Sequence, residues 1–174
     1  KEFREDKYSK DISLLKSNMS KDKRILSALL LSYYREKVAS DNGINLKPTI
    51  LIKSMKIKDS ESDMEDFLDL IKNLSVSDFE YFKDYDNPQI QKAISYFEKD
   101  SGFSYENLIT IFRSNYIEEC IRIVNNTSVN ENIVKELNEL EKNSIRVIFA
   151  VNMLNEGWDV LNLFDIVRLD ETNS

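Results

Sequence analysis

From Tyr8 to Val38 apolar side chains fall at Ile12, Leu15 and Met19, then at Ile25, Leu26, Leu29, Leu30, Tyr33 and Tyr34, a recurrence at helical intervals. The spacing predicts two helices with a break near Ser20, whose hydroxyl suits an N-cap and is followed by Asp22 at the positive end of the second helix dipole. Asp41-Asn42-Gly43 supplies the turn chemistry that ends it. After Pro48 the pattern changes. Thr49-Ile50-Leu51-Ile52 is short, rich in β-branched residues and almost wholly apolar, as a central strand covered on both faces requires, and polar Lys53 and Ser54 close it. A helix is expected from about Ser60 to Leu74, with Met64, Phe67, Leu68 and Ile71 on one side. Asp63-Met64-Glu65-Asp66 reads as a first turn complementing the helix dipole.

Between Ser75 and Tyr116 aromatic residues recur in a region read as helical and punctuated by Asn87-Pro88 and Ser101-Gly102. Interleaved aromatic and basic residues can stack on single strands, but the flanking charges here are mostly acidic, so the rings are expected to pack in the core. The last third predicts a strand over Cys120–Val124, a turn at Asn125-Asn126-Thr127-Ser128 and an amphipathic helix from Asn130 to Leu140. Strands at Ile145–Val151 and Asp165–Leu169 follow. Strands alternating with helices imply right-handed crossovers, hence an α/β fold with a parallel sheet and ligands outside the strands' carboxyl ends.

At 174 residues, 41% of them apolar and 32% charged, the chain suits one soluble globular domain. No apolar run reaches the length of a membrane span and the first ten residues are charged, so a cytoplasmic protein with no membrane association is expected. Cys120 is the single cysteine, which rules out an internal disulfide and a cysteine-rich zinc site; it is expected to fill core. Histidine is absent, which removes triad hydrolysis, HExxH metalloproteolysis and every histidine acid or base. The net charge of -7 gives no support for a nucleic-acid footprint, although a total does not reveal the charge of one face.

Val147 to Leu169 reads VIFAVNMLNEGWDVLNLFDIVRL, a buried strand leading into a polar turn, a glycine, one apolar residue and an aspartate. Glycine allows close backbone approach, and a carboxylate can accept hydrogen bonds from ribose hydroxyls. This run resembles motif V of superfamily 2 helicases. Its wording, NMLNEGWDVLNLFDIVRL, is similar to the Res (restriction) subunit of type III restriction-modification enzymes. Two further stretches keep the family's order. Ile50 to Ser54 matches motif IV, and Cys120 to Val124 with its loop and following helix resembles the strand-loop-helix that precedes motif V.

The resemblance implies a three-layer RecA-like domain, the second of two in a DNA-dependent ATPase motor. It covers roughly residues 46–74 and 119–170, with 1–45 as a helical lead-in and 75–117 as a helical insertion. By the same resemblance Gly157 and Asp159, with Glu156 beside them, lie at the nucleotide. Lys53, Ser54, Asn125, Asn126, Thr127, Asn152 and Asn155 lie along the DNA. On their residue types alone Asp159 could cap the turn, Lys53 could be a solvated lysine, and Asn125 to Thr127 are turn formers. Arg122 and Arg146 stand within strands, where a solvated edge or a salt bridge is the ordinary role. Val151 and Asn152 replace a threonine and aspartate common in relatives, so no threonine hydroxyl is available there for phosphate, and Trp158 is expected to pack under the turn.

A complete motor needs GxxxxGK[ST], a magnesium-binding DExx box and an arginine-bearing motif VI; none stands in this sequence. The chain is therefore expected to be a fragment of a longer polypeptide, truncated before motif VI, inactive alone and holding no cofactor by itself. ATP and Mg²⁺ serve the full-length enzyme in this reading. Double-stranded DNA, the first RecA-like domain and the Mod methyltransferase subunit are its implied partners. Rival readings are another superfamily 2 DNA helicase of defence or repair, and a non-catalytic module whose aromatic segment binds protein.

Overall fold

Ser20 accepts the Lys23 N–H at 3.4 Å and caps helix α1, Lys21–Asp41, which stops at Asn42 and at Gly43 with its φ of +73°. Every residue from Ile25 to Ser32 is buried. A helix apolar around its circumference must be covered on all sides, and α1 lies between the sheet and a second tier of helices. The computed structural model describes residues 19–54, 56–124, 131–140, 142–151 and 163–169; the helix expected before Ser20 lies outside them.

Strand β1, Thr49–Ser54, and helix α2, Ile57–Asn73, follow. Because α2 begins three residues before Ser60, the acidic residue of its first turn is Asp59. Asp63 and Asp66 lie deeper in the helix, and instead of complementing its dipole they grip Lys21 of α1 at 2.7 and 2.8 Å. The aromatic region is helical as its pattern predicts: α3 at Ser77–Lys83, α4 at Pro88–Phe97 and α5 at Tyr105–Asn115. Asn87 caps α4 by accepting from the Gln89 and Ile90 N–H groups, and Ser104 caps α5 through Asn107. A short 3-10 turn, Glu118–Cys120, precedes β2, Ile121–Val124. Cys120 thus sits half-exposed in the turn, not in the strand or the core. Helix α6, Glu131–Asn138, and strands β3, Val147–Val151, and β4, Leu163–Arg168, complete the order.

The four strands are all parallel, in the order β2-β3-β1-β4. Alternation divides their side chains between two cores. Ile50, Ile52, Ile121, Val147, Phe149 and Val167 face α1, α2 and the aromatic helices. Leu51, Val124, Ile148 and Ala150 face the opposite way, against Leu137, Leu140 and Ile145. Helices on both faces of a parallel sheet make the three-layer α/β fold expected of a RecA-like domain.

Of the aromatic rings, Phe79, Phe82, Phe97, Phe112 and Tyr116 are buried as expected, Tyr85, Tyr96, Phe103 and Tyr105 are half-buried, and Tyr81 is exposed. Phe67 of α2 meets Phe149 of β3 edge-on at 5.9 Å and Tyr116 at 6.1 Å. Phe97 of α4 stacks on Tyr33 of α1 at 5.5 Å and on Phe103 at 5.4 Å. Among the described residues no helix is long and apolar enough to cross a membrane.

Candidate functional site at the carboxyl rim

In a parallel sheet all strands end on one edge, and the register fixes which residues meet there. Ser54, the last residue of β1, is level with Val151, the last of β3; Val124, the last of β2, is level with Ala150; and Lys53 is level with Arg168, the last of β4. The backbone therefore leaves β1, β2 and β3 side by side. Asn125, Asn126 and Thr127 come directly after Val124, and Asn152, Asn155, Glu156, Gly157 and Asp159 come after Val151. These eight candidates lie outside the described residues, as does Trp158; the strand ends that lead to them are neighbours on one rim.

Lys53 and Ser54 are described. Lys53 is half-buried, and its carbonyl accepts the Leu169 N–H at 3.4 Å, which ties the ends of β1 and β4. Ser54 is 5% exposed, and its buried hydroxyl has no hydrogen-bond partner among the described residues. Its side chain follows the parity of Ile50 and Ile52, toward the larger core.

The sequence reading assigned no role to two arginines at this edge. Arg24, in the first turns of α1, donates to the carbonyls of Arg168 and Leu169 at 3.0 and 3.3 Å. The helix that opens the described chain thus holds the exit of its last strand. Arg168 is exposed, and among the described residues it is the arginine whose side chain makes no hydrogen bond or ion pair. Periodicity places both in amphipathic or strand contexts, but only the register of Arg168 and the hydrogen bonds of Arg24 show that they share an edge with Lys53.

The same helix holds β4 nearer its beginning. Arg35 pairs with Asp165 at 2.5 Å, just after an irregularity where one step on β1, Thr49 to Ile50, spans two on β4, Leu163 to Asp165. Burial pushes the Asp165 carboxyl up from its ordinary range, and the neighbouring Arg35 only partly counters it. At the amino edge Arg146 makes a two-pronged pair with Glu36 at 2.7 and 3.1 Å. Burial works against the Arg146 charge, but Glu36 outweighs it and the net shift is upward. Arg122 pairs with Glu136 at 3.0 Å, so of the two ordinary roles both strand-region arginines take the salt bridge.

Across an alignment of 194 positions the chain is 36% identical to a "Probable type III restriction-modification enzyme HindVIP Res subunit" of Haemophilus influenzae. The alignment covers 98% of this chain and 38% of the relative, so the chain spans about two fifths of that protein's length. No family model matches the chain, and no solved structure matches it significantly.

Proposed function

Because the chain belongs, over nearly its whole length, to the Res-subunit family of type III restriction-modification enzymes, we propose that it is the second RecA-like motor domain of such a subunit, forming one wall of an ATP cleft and part of a duplex-DNA path. The observation that carries this reading is the common rim. Three parallel strands end within one residue of one another, where the segment resembling motif IV closes and the pre-motif V loop and the polar turn of motif V begin. A segment that couples nucleotide to translocation has to touch both ligands, and adjacent strand exits bring two sets of contacts within reach of each other.

In this reading Asp159 accepts hydrogen bonds from the ribose, Gly157 allows the backbone to approach the nucleotide, and Glu156 lies beside them. Lys53, Ser54, Asn125, Asn126, Thr127, Asn152 and Asn155 follow the DNA. Because the Ser54 hydroxyl is buried, its contribution falls to the backbone at the end of β1. Among the described residues no group of three or more acidic or cysteine side chains is arranged to hold a metal ion, and the sequence has no GxxxxGK[ST]. The triphosphate and its Mg²⁺ therefore belong to the first RecA-like domain, and a Mod subunit directs the assembly to its site.

ATP hydrolysis by the intact polypeptide assembled with its Mod-type partner tests this. Turnover is expected to depend on duplex DNA, and Asp159→Ala is expected to raise KM for ATP several-fold more than it lowers kcat, as loss of a ribose contact should. The 174-residue chain alone is expected to neither hydrolyse ATP nor bind it tightly. Turnover by that chain, or hydrolysis by the intact assembly that ignores DNA, would reject the motor assignment.

A further inference from the structure

The last residue of β4 presents a cation whose backbone is held from two directions while its side chain stays uncommitted. Arg24 donates to the Arg168 and Leu169 carbonyls at 3.0 and 3.3 Å, and the Leu169 N–H donates to the Lys53 carbonyl at 3.4 Å. The other described arginines are engaged: Arg24 and Arg113 with carbonyls, Arg35, Arg122 and Arg146 with carboxylates. Arg168 alone among them is exposed with no hydrogen bond or ion pair to its guanidinium.

Its position is specific. The parallel register sets Arg168 beside Lys53, and residues level in a sheet project from the same face. That face is the one carrying Leu51 and Ala150, and its β4 side is open, with Ile166 exposed at 59%. The buried carboxylate of β4, Asp165, projects from the other face, toward Arg35 of α1, and does not compete for the Arg168 side chain. Two cations therefore stand side by side at the carboxyl end of the sheet. A guanidinium presents a planar fork suited to phosphate oxygens, and the anchored backbone fixes where it starts from.

We propose that Arg168, beside Lys53, is a phosphate contact at the carboxyl rim. The inference rests on the motor reading, which offers two sources of phosphate, the DNA backbone and the nucleotide. The rim position next to Lys53 and the strand exits points first to the backbone.

Binding of a non-specific duplex to the intact polypeptide and its Mod-type partner, measured across a salt series, distinguishes the sources. With Arg168→Ala, binding at low salt is expected to be roughly five- to tenfold weaker, and the slope of log affinity against log salt shallower by about one, because one fewer phosphate is neutralised. Arg168→Lys is expected to keep the slope, since it keeps the charge, and Arg168→Glu to weaken binding further. An unchanged slope with a several-fold higher KM for ATP would assign the contact to a nucleotide phosphate. If the parent binds duplex with a salt-dependent affinity, yet neither slope nor KM moves in the alanine and glutamate variants, the phosphate contact is wrong and the motor reading stands. A parent that binds no duplex sinks both.

Discussion

Asp165 is the residue whose environment makes the sharpest prediction about stability. Burial raises its pKa in the folded protein, so the native state holds this proton more tightly than the unfolded chain does. Its contribution is therefore fully present below the ordinary carboxylate range, near pH ~4, and is lost as pH rises through the raised native value. Asp165→Asn removes that titration. Urea midpoints of the asparagine variant, compared with the parent from about pH 4 upward, should show the parent losing stability relative to the variant as the pH climbs; parallel curves would contradict it. Tyr96 illustrates the same physics on a phenol: its hydrogen bond to Asp41, then burial, push its pKa up to about 12, beyond the range in which a folded domain is normally studied. Neither shift is legible in the sequence, because the burial of Asp165 is set by tertiary packing and Tyr96 lies 55 residues from Asp41.

Elements were legible where periodicity decides them. The strands at β1 and β3, the helices α1 and α2 and the helical aromatic region follow from spacing and turn residues, with ends displaced by one to three positions. The first turn of α2 was misread because a run of acids near a helix start looks like dipole compensation, whereas Asp63 and Asp66 answer a lysine on another helix. Burial of α1 on every side from Ile25 to Ser32 also escaped, although the run Ile25 to Leu31, apolar but for Ser27, carries the signal. The junction of α2 with the sheet gives a test at this scale. Phe67 is fully buried and its ring touches those of Phe149 and Tyr116, so Phe67→Ala should cost about 3–5 kcal/mol through lost transfer energy and the cavity left behind, read as a lower denaturant midpoint at constant m. A cost below about 1 kcal/mol would mean that α2 docks on the sheet by other contacts.

For the molecule as a whole, the parallel sheet was expected from alternating strands and helices and the three layers from the family resemblance, but the strand order was not, and it is the order that assembles the rim. Of the candidate site, the sequence placed Lys53 and Ser54 correctly at the end of a strand; it had no means of pairing Lys53 with Arg168, which requires knowing that β4 lies beside β1. Helix α1 is the centre of the larger core, packing on β1 and β4 below and on α4 above. Deleting residues 19–45 should therefore abolish cooperative unfolding of the remainder, leaving a collapsed state without a sharp denaturant transition. A sharp transition in the deleted protein would show that α1 is an accessory layer.

The ties from α1 to β4 join residues 130 to 145 positions apart. During synthesis the opening helix, apolar around its circumference, leaves the ribosome long before its closing strand exists. At roughly 5–20 residues per second that interval lasts on the order of ten seconds. Throughout it the helix can already seat on β1 and α4, but its ties to β4 cannot form, so the emergence of that strand sets when this layer closes.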